Sequence, residues 1–101
     1  MVREWAQGQS LARTLGGRRV ALMRGHGSVV AGASLREVVM TSVYLEVGAR
    51  LQLQAHSLSP DYLALSPGEV ELCVDMAIGP NYPSLDRAWE YWCARAGFPG
   101  I

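Results

Sequence analysis

The feature that most constrains this chain is a helix signal long for so short a sequence. Ser34 is a good N-cap, and Glu37 three residues on completes a Ser-x-x-Glu capping box. The run it opens meets no glycine until Gly48 and no proline before Pro60, which predicts a helix to about Leu58. At about 1.5 Å per residue such a helix is roughly 36 Å long. Met40, Val43, Val47, Leu51 and Leu58 follow i, i+3/i+4 spacing, and Val38, Val39, Leu45 and Leu53 widen the stripe. A stripe this broad predicts burial on two sides, against a sheet below and another element above.

The elements before the long helix are short. Glu4 to Leu15 reads as a helix with Trp5, Leu11, Ala12 and Leu15 available for one face, stopped by Gly16-Gly17. Arg18 to Met23 and Ser28 to Ala31 read as two strands, and the Gly25-His26-Gly27 break between them predicts a hairpin with His26 at its bend. Two strands do not make an independently stable sheet. Either further strands come from an assembly, or the chain is part of a larger fold. Downstream, Ser66-Pro67-Gly68-Glu69 starts a helix from about Pro67 to Met76, closed by Gly79-Pro80-Asn81. Ser84-Leu85-Asp86 begins a last helix to about Ala96, followed by a loose tail from Gly97.

Composition sharpens the point about assembly. The 101 residues fit one small domain, 50% are hydrophobic and only 18% charged, which is greasy for a protein with so much surface. Part of that apolar surface is expected to meet other protein, so the isolated chain is not expected to be a lone monomer. Nine basic and nine acidic residues cancel, lysine is absent and arginine is scattered, which excludes the basic stripe of a nucleic-acid binder. Cys73 and Cys93 match no redox or zinc spacing and read as free, partly buried thiols. The first residues carry Arg3 and Glu4 without the apolar run of a secretory signal, and no segment has the length of a membrane span. A cytoplasmic location without membrane contact is expected.

Few residues carry chemistry. An imidazole held between glycines is free to ligate a metal, but His26 is one ligand where a metal enzyme needs about three, and from composition alone it reads first as a surface turn residue. Arg24 offers a bidentate donor that a carboxylate of its own protein can satisfy. His56 reads as an ordinary helical histidine. Glu46 stands on an otherwise apolar helix, where Arg50 at i+4 is a sufficient structural reason for it. Tyr82, Trp89, Tyr91 and Trp92 either line a pocket or pack against the core. No serine has a nucleophile's neighbourhood, and Gly16-Gly17 lacks the continuation of a phosphate loop.

Three stretches together suggest a family: Val20-Ala-Leu-Met-Arg-Gly-His-Gly-Ser-Val-Val-Ala-Gly32, Ser34-Leu-Arg-Glu37, and Val43-Tyr-Leu-Glu-Val-Gly-Ala-Arg-Leu-Gln-Leu-Gln-Ala55. A glycine-flanked histidine on a hairpin, a glycine before a capped helix and a long helix with Ala-Arg-x-Gln-x-x-Ala resemble the C-terminal half of the class II aldolase/adducin family. Gly8 to Gly16 and Leu65 to Glu69 are similar to its flanking segments, so the resemblance covers about Gln7 to Arg95. Residues 1–101 are then one partial domain. The resemblance implies an α/β fold, the C-terminal part of an α/β/α layered sandwich with a mostly antiparallel sheet, assembled as tetramers. It implies a divalent metal such as zinc held by three histidines, with His26 matching the ligand from the His-Gly motif. The His-x-His pair and the upstream acidic catalytic residue have no counterpart in these residues.

Leu22-Met-Arg-Gly-His-Gly27 and Tyr44 to Gln52 lean toward members similar to hydroxy-carboxymuconic semialdehyde decarboxylases, away from sugar-phosphate aldolases. The resemblance thus implies a metal-dependent lyase acting on a small hydroxy or keto acid or a sugar phosphate, with Arg24 as a substrate contact. Such a portion is expected to be inactive without its N-terminal half. The alternative is a non-catalytic oligomerisation module, since the adducin side of the family shows that the fold need not be an enzyme.

Overall fold

A computed structural model describes residues 2–78 and 84–100. Its element order is α1 (Trp5–Leu15), β1 (Val20–Met23), β2 (Gly27–Val30), α2 (Leu35–Leu58), α3 (Pro67–Ile78) and α4 (Ser84–Arg95). Among the described residues the architecture is therefore mixed α/β, four helices with one two-stranded antiparallel sheet. The expected helix stop at Gly79-Pro80-Asn81 and the aromatic Tyr82 lie outside the described residues.

Helices α1, α2 and α3 start where their capping residues place them. In α1 the Gln7 side-chain oxygen accepts the Arg3 N–H at 2.9 Å and the Glu4 N–H at 3.3 Å, using up donors that a helix N-terminus leaves bare. At α2, the Glu37 N–H donates to Ser34 Oγ at 3.2 Å, while the Glu37 carboxylate accepts the Ala33 N–H at 2.7 Å. The α3 box is fuller: Glu69 accepts from both the Ser66 N–H (2.8 Å) and the Ser66 hydroxyl (2.7 Å), and the Glu69 N–H returns to Ser66 Oγ at 3.4 Å. These paired bonds hold the Glu69 carboxyl below its ordinary pKa, the hydroxyl contact contributing most.

The hairpin register pairs Val20 with Val30, Ala21 with Val29, Leu22 with Ser28 and Met23 with Gly27. An added ladder bond runs from the Ala31 N–H to the Arg19 carbonyl at 2.8 Å. One face of the hairpin turns inward and carries Ala21 into the core, where it is 8% exposed, while Leu22 beside it is exposed. Gly32 then brings the chain close to α2. A Cβ there would sit 3.2 Å from Val38 Cγ2 and 3.3 Å from the Glu37 side chain, so any larger residue needs those side chains to give by a few tenths of an ångström.

The last helix docks on the first half of α2. Arg36 pairs with Asp86 at 2.5 Å and lies 5.8 Å from the centre of the Trp89 ring, joining the two helices by charge and by a cation–π contact. Trp89, Trp92 and Cys93 gather with Val39, Ala96 and Phe98 around an apolar hollow of about 420 Å³. The loose tail expected after Gly97 is not what forms. Gly97 takes φ +89°, its N–H reaches the Ala94 carbonyl, and the Phe98 N–H reaches the Cys93 carbonyl at 2.8 Å. That is a Schellman closure, with Phe98 folded back toward Cys93.

The core is small. Among the described residues only Ala21 and Met40 are buried hydrophobics. Trp5, expected on the inner face of α1, is 82% exposed, while Leu11 and Leu15 are half-buried. The two-sided burial expected for α2 holds only for its first half, where Val38, Val39, Val43 and Leu45 are half-buried around Met40. Beyond Leu45 no other described element reaches over the helix far enough to bury it, and Leu51, Leu53 and Leu58 are exposed. Cys93 is half-buried as expected, but Cys73 is exposed, and both thiols are free.

Candidate functional site

The bend of the hairpin is built by backbone geometry that two glycines supply. The His26 N–H donates to the Met23 carbonyl at 3.1 Å, closing a four-residue turn whose third residue, Gly25, sits at φ +66°. Gly27 follows at φ +149°, a conformation that residues with a Cβ rarely adopt, and returns the chain into β2. His26 is thereby fixed at the tip of the sheet with its side chain exposed. It does not belong to the core.

The tip is one wall of a cleft. Leu22, Met23, Arg24 and His26 from the hairpin face Gln7, Ser10, Leu11 and Thr14 from α1 across an open space of about 360 Å³. Thr14 is already committed, its hydroxyl donating to the Ser10 carbonyl at 3.0 Å. Arg24 makes no ion pair among the described residues, in contrast to Arg19, Arg36 and Arg50. The structure therefore brings together the two residues singled out in the sequence, Arg24 and His26, on one cleft. The cleft is the part the sequence did not reveal. Its α1 wall, Gln7, Ser10 and Thr14, carries the polar residues of an amphipathic helix and no chemical signature that would have marked it.

The remaining candidates resolve into structural roles. Glu46 forms an ion pair with Arg50, which raises the Arg50 pKa through that hydrogen bond first and the opposite charge second. His56 lies edge-on to Tyr62, ring centres 6.0 Å apart, and the Tyr62 hydroxyl bonds Gln52 at 3.1 Å, fastening the chain after α2 back onto it. Trp89 and Trp92 pack against Val39, whereas Tyr91 is exposed beside Arg95.

Residues 2–53, from α1 through most of α2, match the family described as Class II Aldolase and Adducin N-terminal domain. This chain belongs to the class II aldolase/adducin family. The hairpin, Gly32 and the capped start of α2 all lie within the matched stretch. The chain is also similar to a 3,4-dihydroxyphthalate decarboxylase of Terrabacter sp. (strain DBF63), 28% identical over 97 residues that cover 96% of this chain and 39% of the relative. It thus spans about two fifths of the length of the curated relative it matches. No solved structure matches it.

Class II aldolase/adducin membership raises the question of a metal, which the donor set answers. Among the described residues no three His, Cys, Asp or Glu side chains come together in a group able to hold an ion. A catalytic site of this kind takes about three protein ligands, and His26 is one. The described residues do not by themselves fit a complete metal centre. Among the described residues no helix is long and apolar enough to cross a membrane.

Proposed function

We propose that this chain is the C-terminal portion of a class II aldolase/adducin-family lyase that removes carbon dioxide from a small oxygenated acid. The reading rests on one observation, the shared placement of Arg24 and His26 on the α1–hairpin cleft. A dihydroxyphthalate, the substrate class in the relative's name, carries two carboxylates, and decarboxylation expels one while the other stays. The carbon–carbon bond breaks, its electron pair remains on the ring carbon, and a proton replaces the lost group there. Arg24, a planar fork donor without a carboxylate partner among the described residues, holds the retained carboxylate through two parallel hydrogen bonds. His26 presents one imidazole to the oxygen-bearing side of the same substrate. Polypeptide outside residues 1–101 completes the site, including the further donors that a divalent metal would need, so the isolated chain is expected to turn nothing over.

The test is an NMR titration of the isotopically labelled chain with 3,4-dihydroxyphthalate and, separately, with the paramagnetic ion Mn²⁺. The reading expects shifts from the diacid at residues 22–28 and at Ser10 and Thr14, reduced at least tenfold in apparent affinity by Arg24→Ala. It expects Mn²⁺ broadening centred on His26 and removed by His26→Ala. Shifts or broadening centred on the acidic residues of α3, or none at the hairpin tip, would overturn it.

A further inference from the structure

The polar groups on the two walls of the α1–hairpin cleft are not interchangeable, because several have already used one half of their hydrogen-bonding capacity. Gln7 Oε1 accepts the N–H groups of Arg3 and Glu4, which fills both lone pairs of that oxygen and leaves the side chain only its amide N–H groups to offer. The Arg24 guanidinium is likewise a donor alone. Thr14 is the reverse. Its hydroxyl proton is spent on the Ser10 carbonyl at 3.0 Å, so towards the cleft Oγ1 can only accept. The Ser10 hydroxyl and the His26 imidazole can each give or accept, and they favour neither kind of partner.

These commitments sort functional groups across an open space of about 360 Å³. Carboxylate oxygens, which only accept, suit Arg24 and Gln7. A carbonyl or phosphate oxygen placed at Thr14 sets acceptor against acceptor, and it displaces the water that would otherwise satisfy Oγ1. A hydroxyl matches there, because a phenolic O–H, with an ordinary pKa of about 10, still carries its proton at neutral pH. Thr14 and Ser10 lie one helical turn apart, so the bond that pins the proton also holds Oγ1 in place.

We infer that Thr14 is the specificity residue of this cleft and that the acid it takes is a hydroxy acid: while Arg24 holds the carboxylate, a hydroxyl of the same molecule donates to Thr14 Oγ1. Keto acids and phosphate esters of similar size are disfavoured by that one atom. Thr14 positions the acid and takes no part in breaking the carbon–carbon bond. The inference rests on the lyase reading, since it needs a carboxylate at Arg24.

Affinities read from the NMR shifts of residues 22–28 test it, using three acids: 3,4-dihydroxyphthalate, phthalate, and 3,4-difluorophthalate, whose fluorines donate no proton. The chain should prefer the dihydroxy acid over both others by about fivefold, the ratio that one hydrogen bond of ordinary net strength gives. Thr14→Val, which keeps the branched shape without the acceptor, should abolish the preference and leave phthalate binding unchanged. Thr14→Ser, which restores the hydroxyl, should keep the preference. Arg24→Ala should weaken all three acids alike. Equal binding of the three acids, a preference that survives Thr14→Val or is lost in Thr14→Ser, or a Thr14→Val loss that is as large for phthalate overturns the inference, while the lyase reading stands as long as Arg24→Ala weakens binding. Acids that leave residues 22–28 unshifted, or that bind the Arg24→Ala chain as well as the unaltered one, overturn both.

Discussion

Arg19 and Glu37 form an ion pair that ties the residue before β1 to the first turn of α2. The same carboxylate accepts the Ala33 N–H, so one side chain fixes the strand, the connection and the helix start together. Glu37→Ala removes all of these and should cost about 2 kcal/mol of stability. Glu37→Gln keeps an acceptor for the backbone N–H and should cost about half as much, and Arg19→Ala, whose side chain is largely exposed, about 0.5 kcal/mol. Urea unfolding followed by far-ultraviolet circular dichroism gives the order. Equal losses for Arg19→Ala and Glu37→Ala would show that the ion pair, and not the cap, carries the contribution.

The two glycines of the hairpin tip should differ in what they tolerate. Gly25 sits at φ +66°, in the left-handed region that asparagine also visits, whereas Gly27 at φ +149° lies where residues with a Cβ are strained. Gly25→Asn should change stability by less than about 0.5 kcal/mol, and Gly27→Asn should cost on the order of 1–3 kcal/mol. Open space surrounds both, so backbone conformation alone decides the outcome. Hydrogen exchange at the Ala31 amide, whose bond to the Arg19 carbonyl extends the ladder, reports whether the hairpin has loosened.

The places where the sequence was legible share a cause, which is that local chemistry determined them. The Ser34 and Ser66 caps, the Gly16 stop and the glycines of the His26 bend each fix backbone within a few residues, and the structure follows them closely. Helix α3 runs to Ile78, two residues past the Met76 expected. Family membership was legible for the same reason, since its motif lies on the hairpin and the α2 cap. What was not legible depends on long-range packing. Trp5 has the right spacing for an inner face, but no described element covers it. The tail after Gly97 looked loose because a Schellman closure depends on Phe98 folding back onto Cys93. The cleft escaped detection because Ser10 and Thr14 are polar residues of an amphipathic helix until the hairpin tip is placed opposite them.

Acid should fray α3 from its N-terminus. The Glu69 carboxyl is held below its ordinary pKa by the Ser66 hydroxyl and then by the Ser66 N–H. A carboxyl whose pKa is lowered on folding stabilises the fold above its unfolded pKa. That contribution begins to fall as pH drops through the ordinary glutamate range and is gone below the lowered folded value. The Ser66 and Glu69 amide signals should therefore titrate together in acid and show no transition near neutrality. Ser66→Ala should return Glu69 toward its ordinary pKa. A Glu69 titration unmoved by that substitution would mean the capping bonds do not form in solution.

Trp89 is placed for shape and charge, and its indole N–H is the cost of that placement. The Nε1 atom is buried and has no acceptor among the described residues, while the ring sits half-buried on α2 beneath the Arg36 guanidinium, 5.8 Å away. A buried donor without a partner costs about 1–3 kcal/mol. Trp89→Phe removes that donor and keeps an aromatic face for Arg36, at the expense of some apolar contact with the hollow shared by Trp92 and Phe98. The two effects oppose each other, so Trp89→Phe should shift stability by less than about 1 kcal/mol in either direction. Trp89→Ala loses the packing and the cation–π contact together and should cost about 2 kcal/mol or more. Thermal melting read at 222 nm compares the variants without relying on the fluorescence they remove. If Trp89→Phe proves as damaging as Trp89→Ala, the indole N–H has an acceptor beyond the described residues.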